Sequence, residues 1–181
     1  MTLDTATDSK DLMSLYMDYI VQLRGDDLSI EDFCQYADID SGLFYDSYPD
    51  VKSLEQDIWS FILSDAISTI TQDPQYDSYV QNEQLLSFFF TFFESLTLNV
   101  EYFSSHLSMR SNFSEKREVL KGMKSNFNTY IEETITNSAF SGLGIDQIDI
   151  VKDILQRSQK EGFWIQFICL IDFWKKDLSD G

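Results

Sequence analysis

Prolines at positions 49 and 74 are the only residues in this 181-residue chain that bar a helix interior outright, and around them apolar residues recur every three or four positions. This pattern constrains the fold more than any other feature. Strands need alternation between tight turns, and seven scattered glycines cannot supply enough of those turns. The chain is expected to be all-α. With 43% hydrophobic and 15% aromatic residues it buries a sizeable core and does not stay disordered.

The periodicity divides the chain. In SKDLMSLYMDYIVQLRG, Leu12, Leu15, Tyr16, Tyr19, Ile20 and Leu23 share one helical face, and Gly25 ends it. Ser29 is expected to cap a helix of about two turns carrying Phe33, Cys34 and Ala37. SGLFY reads as a short helix, and a longer one runs from Asp50 to about Thr71 with Leu54, Ile58, Phe61, Ile62, Ala66 and Ile70 inward. QDPQYDSY is a break. LLSFFFTFFESLTLNVEYFSSHLSM is apolar on more than one face, which predicts a helix buried on several sides. Next comes SEKREVLKGMKSNFNTYIEETITNSAF, capped by Ser114, with Val119, Leu120, Met123, Phe127, Tyr130, Ile131 and Ile135 inward. Its Lys116, Arg117, Lys121 and Lys124 form the densest basic patch, read as a solvated face paired with nearby acids. SGLGID is a turn, and the last apolar patterns form one helix bent at Gly162 or two helices.

Thirty-one acidic residues against thirteen basic ones give a net charge of -18, which repels phosphate polyanions and anionic membranes at long range. No apolar run is long enough to span a bilayer, and MTLDTATDSK lacks a secretory pattern, so a cytoplasmic location is expected. Cys34 and Cys169 lie in apolar contexts without metal-ligand spacing and are expected to be buried free thiols. His106 is the single histidine; it is expected to cap a helix or face solvent, because alone it builds neither a metal site nor a triad. No Gly-rich phosphate loop or nucleophile pairing is present. Neither catalysis nor a cofactor or metal is expected.

The segment IEDFCQYADIDSGLFYDSYPDVKSL has the order helix, tight turn, short helix, aromatic pair, longer helix. In this order it resembles the helix-turn-helix of the TetR family of bacterial regulators. Ala37 and Ile39 fall at the family's small and apolar turn positions, Gly42 at its small residue in the recognition helix, and Phe44-Tyr45 at its apolar-Tyr pair. Tyr48-Pro49 matches its aromatic-Pro step and Leu54 the next core position. The resemblance implies a TetR-like fold, with a three-helix helix-turn-helix domain over residues 1–50 and a helical effector-binding and dimerisation domain over 51–181. It also implies that Ser41, Gly42, Leu43, Tyr45, Asp46 and Lys52 are the positions that would meet operator DNA.

The departures concern charge. Asp38 stands at the family's turn glycine, Asp40 at its helix cap and Val51 at a lysine it commonly sets against phosphate. Met1 to Leu54 holds three bases and twelve acids, a net -9, and Ser41-Gly42-Leu43 offers none of the usual bidentate readers of base edges.

For the body, the resemblance implies an internal pocket for an apolar molecule and pairing of the last helices. An aromatic cavity for a lipid or isoprenoid is expected among Phe88, Phe89, Phe92, Phe93, Tyr102, Phe103, Met123, Phe127 and Tyr130. A homodimer contact is expected from Phe163, Trp164, Phe167, Ile168, Ile171 and Trp174, because two apolar stripes on one helix need two partners. Three functions remain open: a ligand-responsive transcriptional regulator with a weakened DNA reader, a lipid- or isoprenoid-binding accessory protein of the same fold that leaves DNA alone, and an acidic module that meets a basic protein.

Overall fold

The computed structural model describes residues 9–23, 29–110, 112–139 and 149–179. These residues form helices and turns with no strand. The helices are α1 (Ser9–Gln22), α2 (Ile30–Ala37), α3 (Ser41–Ser47), α4 (Val51–Thr71), α5 (Gln81–Leu98), α6 (Val100–Ser108), α7 (Phe113–Leu120), α8 (Lys124–Ala139) and α9 (Asp149–Ser179). Short 3-10 turns cover Tyr76–Ser78 and Lys121–Met123. The SGLGID turn lies outside the described residues.

Helix α4 is the axis of the molecule and packs on α1, α5, α7 and α8. Asp50 starts it by accepting from Ser53 N at 2.7 Å, which satisfies one of the donors a helix start leaves open. Leu54, Ile58, Trp59, Leu63 and Ala66 are almost wholly buried along it. At one end Phe33 of α2 meets Tyr16 of α1 edge-on at 5.3 Å and Phe44 of α3 at 6.0 Å. At the other end Phe127 of α8 stacks on Phe167 of α9 at 4.5 Å, with Phe88 and Phe92 of α5 packed around the pair. One apolar cluster runs from Leu12 to Ile171.

Several expectations about boundaries change. The aromatic run is two helices, because Asn99 leaves helical geometry (φ -119, ψ 34) and its side chain donates to Ser95 O at 3.0 Å. Asparagine competes with the helix backbone in this way. The bend turns Tyr102, Phe103, His106 and Leu107 inward. Asn112, not Ser114, caps α7; its Oδ1 accepts from Glu115 N at 3.0 Å. The helix expected after Ser114 is interrupted at Lys121–Met123, where Gly122 lies so close to α4 that a Cβ would sit 2.5 Å from Gln56 O. Helix α9 passes through Gly162 without a break. Cys34 is buried as expected, but Cys169 faces solvent because it falls on the outer side of α9 with Ile165 and Phe173.

Candidate functional site

The helix-turn-helix is locally well formed. Ser29 Oγ accepts from Asp32 N at 3.2 Å to start α2, and Asp38 ends it at φ 54, a left-handed conformation that aspartate tolerates better than most residues. Asp40 Oδ1 accepts from Gly42 N at 2.7 Å to start α3. A Cβ on Gly42 would lie 2.8 Å from that oxygen, so the cap and the small residue depend on each other. Phe44 and Tyr48 are buried, which fixes the outward face of α3. That face presents Ser41, Gly42, Leu43, Tyr45 and Asp46 to solvent, as positions for outside contact require.

Electrostatics along this face are anionic. Asp38, Asp40, Asp46 and Asp50 are all exposed. Hydrogen bonds from Ser53 hold the Asp50 carboxyl below the usual range. Lys52, the nearest base, is not free, since its Nζ lies 2.7 Å from Glu118 Oε1 of α7. The bond to Lys52, with help from the Lys121 charge, keeps the Glu118 carboxyl below its usual range.

Behind this face lies a polar network that the sequence reading missed. Glu55 is 4% exposed on the inner side of α4. Tyr16 Oη of α1 donates to its Oε1 at 2.8 Å, and Arg110 Nη2 donates to its Oε2. Arg110 Nη1 also donates to His106 O at 2.7 Å. Burial pushes the Glu55 carboxyl up, but His106 and Arg110 win and hold it down at about 2. His106 is fully buried, contrary to the expected cap or solvent role, and burial lowers its pKa against the opposing pull of Glu55. Trp59 Nε1 donates to His106 Nδ1 at 3.4 Å, which places the proton of the neutral ring on Nε2. That nitrogen is 3.2 Å from Glu55 Oε1, so its N–H dipole favours the ionised carboxyl although the contact is bent away from ideal hydrogen-bond geometry. Burial also raises the Tyr16 and Tyr102 hydroxyls far above their usual range. A glutamate inside the stripe Leu54, Ile58, Trp59 and Ile62 was the available signal, because a buried carboxylate demands a cation.

Two clefts flank α4, and the first borders this network. One, of about 490 Å³, lies among Val51, Lys52, Glu55, Met109, Arg110 and Val119. The other, of about 440 Å³, lies between α1 and α4, with Met13, Met17, Ile58, Phe61 and Ile62 as its apolar wall and Ser14, Asp18, Asp65 and Asn99 as its polar one.

Of the residues expected to line an aromatic cavity, Phe88, Phe89, Phe92, Phe93, Phe127 and Tyr130 are packed ring against ring, whereas Tyr102 and Phe103 pack against His106 and Trp59. Phe88, Phe92, Phe103, Met123 and Phe127 are fully buried, Tyr102 and Tyr130 nearly so, and Phe89 and Phe93 are partly covered. Phe88 alone touches Phe89, Phe92, Phe127, Tyr130 and Phe167. Their rings occupy one another's space and act as core. Of the six residues expected at a dimer contact, Trp164, Phe167, Ile168 and Ile171 are buried inside the single chain, while Phe163 and Trp174 are partly covered. The outward side of α9 instead carries Ile165, Leu170 and Phe173, and α5 likewise leaves Leu86 and Phe90 exposed. The α5 core stripe claims the first set and leaves the second to solvent.

No group of metal-binding side chains occurs among the described residues, and no described helix is long and apolar enough to cross a membrane. No curated protein and no solved structure matches the chain. Residues 84–181, covering α5 to α9 and more than half of the sequence, match the family described as Tetracyclin repressor-like, C-terminal domain, and the chain belongs to that TetR-like family.

Proposed function

We propose that the protein is a TetR-fold binding protein that works without operator DNA, as a homodimer that takes up an apolar small molecule or lipid. Residues 1–50 serve as a helix-turn-helix scaffold, and residues 51–181 form the body. The observation that carries this reading is the charge around α3, where Asp46 on the helix and Asp38, Asp40 and Asp50 in its flanking caps are all exposed and the neighbouring Lys52 is held by Glu118. DNA affinity rests on Lys and Arg side chains that neutralise phosphates and release their counterions, and α3 carries neither. The cleft of about 440 Å³ between α1 and α4 suits the ligand better than the packed aromatic cluster: its size falls in the range of ligand pockets, Met13 and Met17 adapt to irregular apolar shapes, and Ser14, Asp18, Asp65 and Asn99 would meet a polar end of the ligand. A second copy covers Phe90, Leu170 and Phe173.

Fluorescence polarisation with the upstream DNA of its own gene, at about 50 and 200 mM salt, tests the reading. It expects no binding at either salt. Tight binding that falls steeply with salt would refute it and establish the alternative, a ligand-responsive transcriptional regulator. One observation favours that alternative: the capped turn leaves Leu43 and Tyr45 exposed at 44% and 51%, where a recognition helix makes its contacts.

A further inference from the structure

We propose that a small pocket between α7, the Lys121–Met123 turn and α9 binds a phosphate-bearing small molecule. Ser114, Arg117 and Lys121 fall at helical spacing on one side of α7 and its continuation, and Lys124 at the start of α8 extends the line. Together with Glu118 and the Trp164 ring of α9 they enclose about 240 Å³. This is below the roughly 300–1,000 Å³ of drug-sized sites, so the recognised group is a compact one.

The expected pairing of this basic patch with nearby acids is found for Lys116 and Lys124 and, loosely, for Lys121. Lys116 is engaged by Asp172 at 2.5 Å and faces elsewhere. Lys124 is fixed by Glu161 at 2.6 Å, which anchors its stem at the pocket wall. Lys121 has only a loose approach to Glu118, at 4.0 Å, and Glu118 is already bound to Lys52 at 2.7 Å. Arg117 is exposed and makes no ion pair or hydrogen bond among the described residues. With Lys124 held by Glu161, the Arg117 guanidinium, the loosely held Lys121 and the Ser114 hydroxyl share the pocket with Glu118, which Lys52 already neutralises, within a chain of net charge -18. A guanidinium with a loosely held ammonium and a hydroxyl is donor-rich chemistry that matches a phosphate better than a single carboxylate. The buried indole supplies an apolar wall that excludes water from one side.

Isothermal titration of the full chain in a phosphate-free buffer at low ionic strength, with inorganic phosphate, pyrophosphate and acetate as probes, tests the site. The expected result is saturable one-to-one binding of phosphate or pyrophosphate that exceeds acetate binding at least tenfold. Arg117→Ala with Lys121→Ala should weaken it at least tenfold while circular dichroism stays unchanged, and Lys176→Ala should leave it intact. Any of three results overturns the assignment: no saturable phosphate binding at millimolar concentration, equal binding of acetate, or equal binding by the double variant.

Discussion

Arg110→Met should destabilise the protein strongly at neutral pH and far less in mild acid. The guanidinium is 16% exposed and bonds both Glu55 Oε2 and His106 O, while the Glu55 side chain is 6% exposed. Methionine keeps the apolar stem and removes the charge, leaving a buried carboxylate with only the Tyr16 hydroxyl and a neutral imidazole beside it. Breaking one partner of such a pair costs about 3–5 kcal/mol. The Glu55 pKa reports His106 first and Arg110 second, and so measures the two partners together. A carboxyl held at about 2 instead of 4.5 is worth roughly 3 kcal/mol of preference for the ionised form. In the wild type the folded pKa of Glu55 is depressed, so its contribution is fully present above 4.5 and is lost as pH falls toward 2. In the variant burial is left to raise that pKa, and protonation relieves the unpaired charge. The difference between the two proteins should therefore shrink as pH falls from 7 toward 4.5. Urea denaturation followed by tryptophan fluorescence at both pH values measures it. A loss below about 1 kcal/mol at pH 7, the level of a surface ion pair, would refute the reasoning, as would a loss independent of pH.

Gly122→Ala forces a Cβ to within 2.5 Å of Gln56 O, a backbone atom of α4 that cannot swing aside. It should cost about 1–3 kcal/mol, read as a lowered melting temperature, and an unchanged melt would contradict the close approach. Phe90→Asp with Phe173→Asp should convert a dimer to a well-folded monomer on gel filtration, because these rings are 68% and 66% exposed and contribute little to the single chain. A wild type that already elutes as a monomer at micromolar concentration would dispose of that interface. Leu43→Arg with Asp46→Lys puts two cations on the outward face of α3 and should create DNA binding whose logarithmic salt slope is near -2. If the variant binds no DNA, the missing charge is not what keeps the wild type off it.

Much of the fold was legible because periodicity and capping are local. Ser29, Asp40 and Asp50 mark helix starts, and each makes the cap its position predicts. The break at Asn99 was hidden, since LTLNVEYF keeps an apolar pattern through it and only the side-chain bond to Ser95 O reveals the bend. The two stripes of α9 were seen, but which one faces inward depends on where Phe88 and Phe92 of α5 lie, a relation that no local pattern holds. The buried network is harder still, because Tyr16, Glu55 and Arg110 are 39 and 55 residues apart and meet only in the folded chain. Sequence could flag Glu55 as misplaced in an apolar stripe, but could not name its partners.

The network and the cleft between α1 and α4 share the same two helices. Tyr16 and Met17 are adjacent on α1, and Glu55 and Ile58 lie one turn apart on α4, so a ligand among Met13, Met17, Ile58 and Ile62 braces the helices that hold the Tyr16–Glu55 bond. A ligand that binds only the folded state stabilises it by about 2.7 kcal/mol at a hundredfold excess over its dissociation constant. That is close to what the wild type loses when Glu55 protonates, and His106 acts in the same sense: its lowered pKa makes folded stability fall as pH drops below 6.5. A retained apolar ligand should therefore move the acid unfolding midpoint to lower pH. Met17→Trp, which fills the cleft without touching Glu55, should abolish both the shift and the ligand seen by native mass spectrometry. A shift that survives Met17→Trp would place the ligand elsewhere in the body.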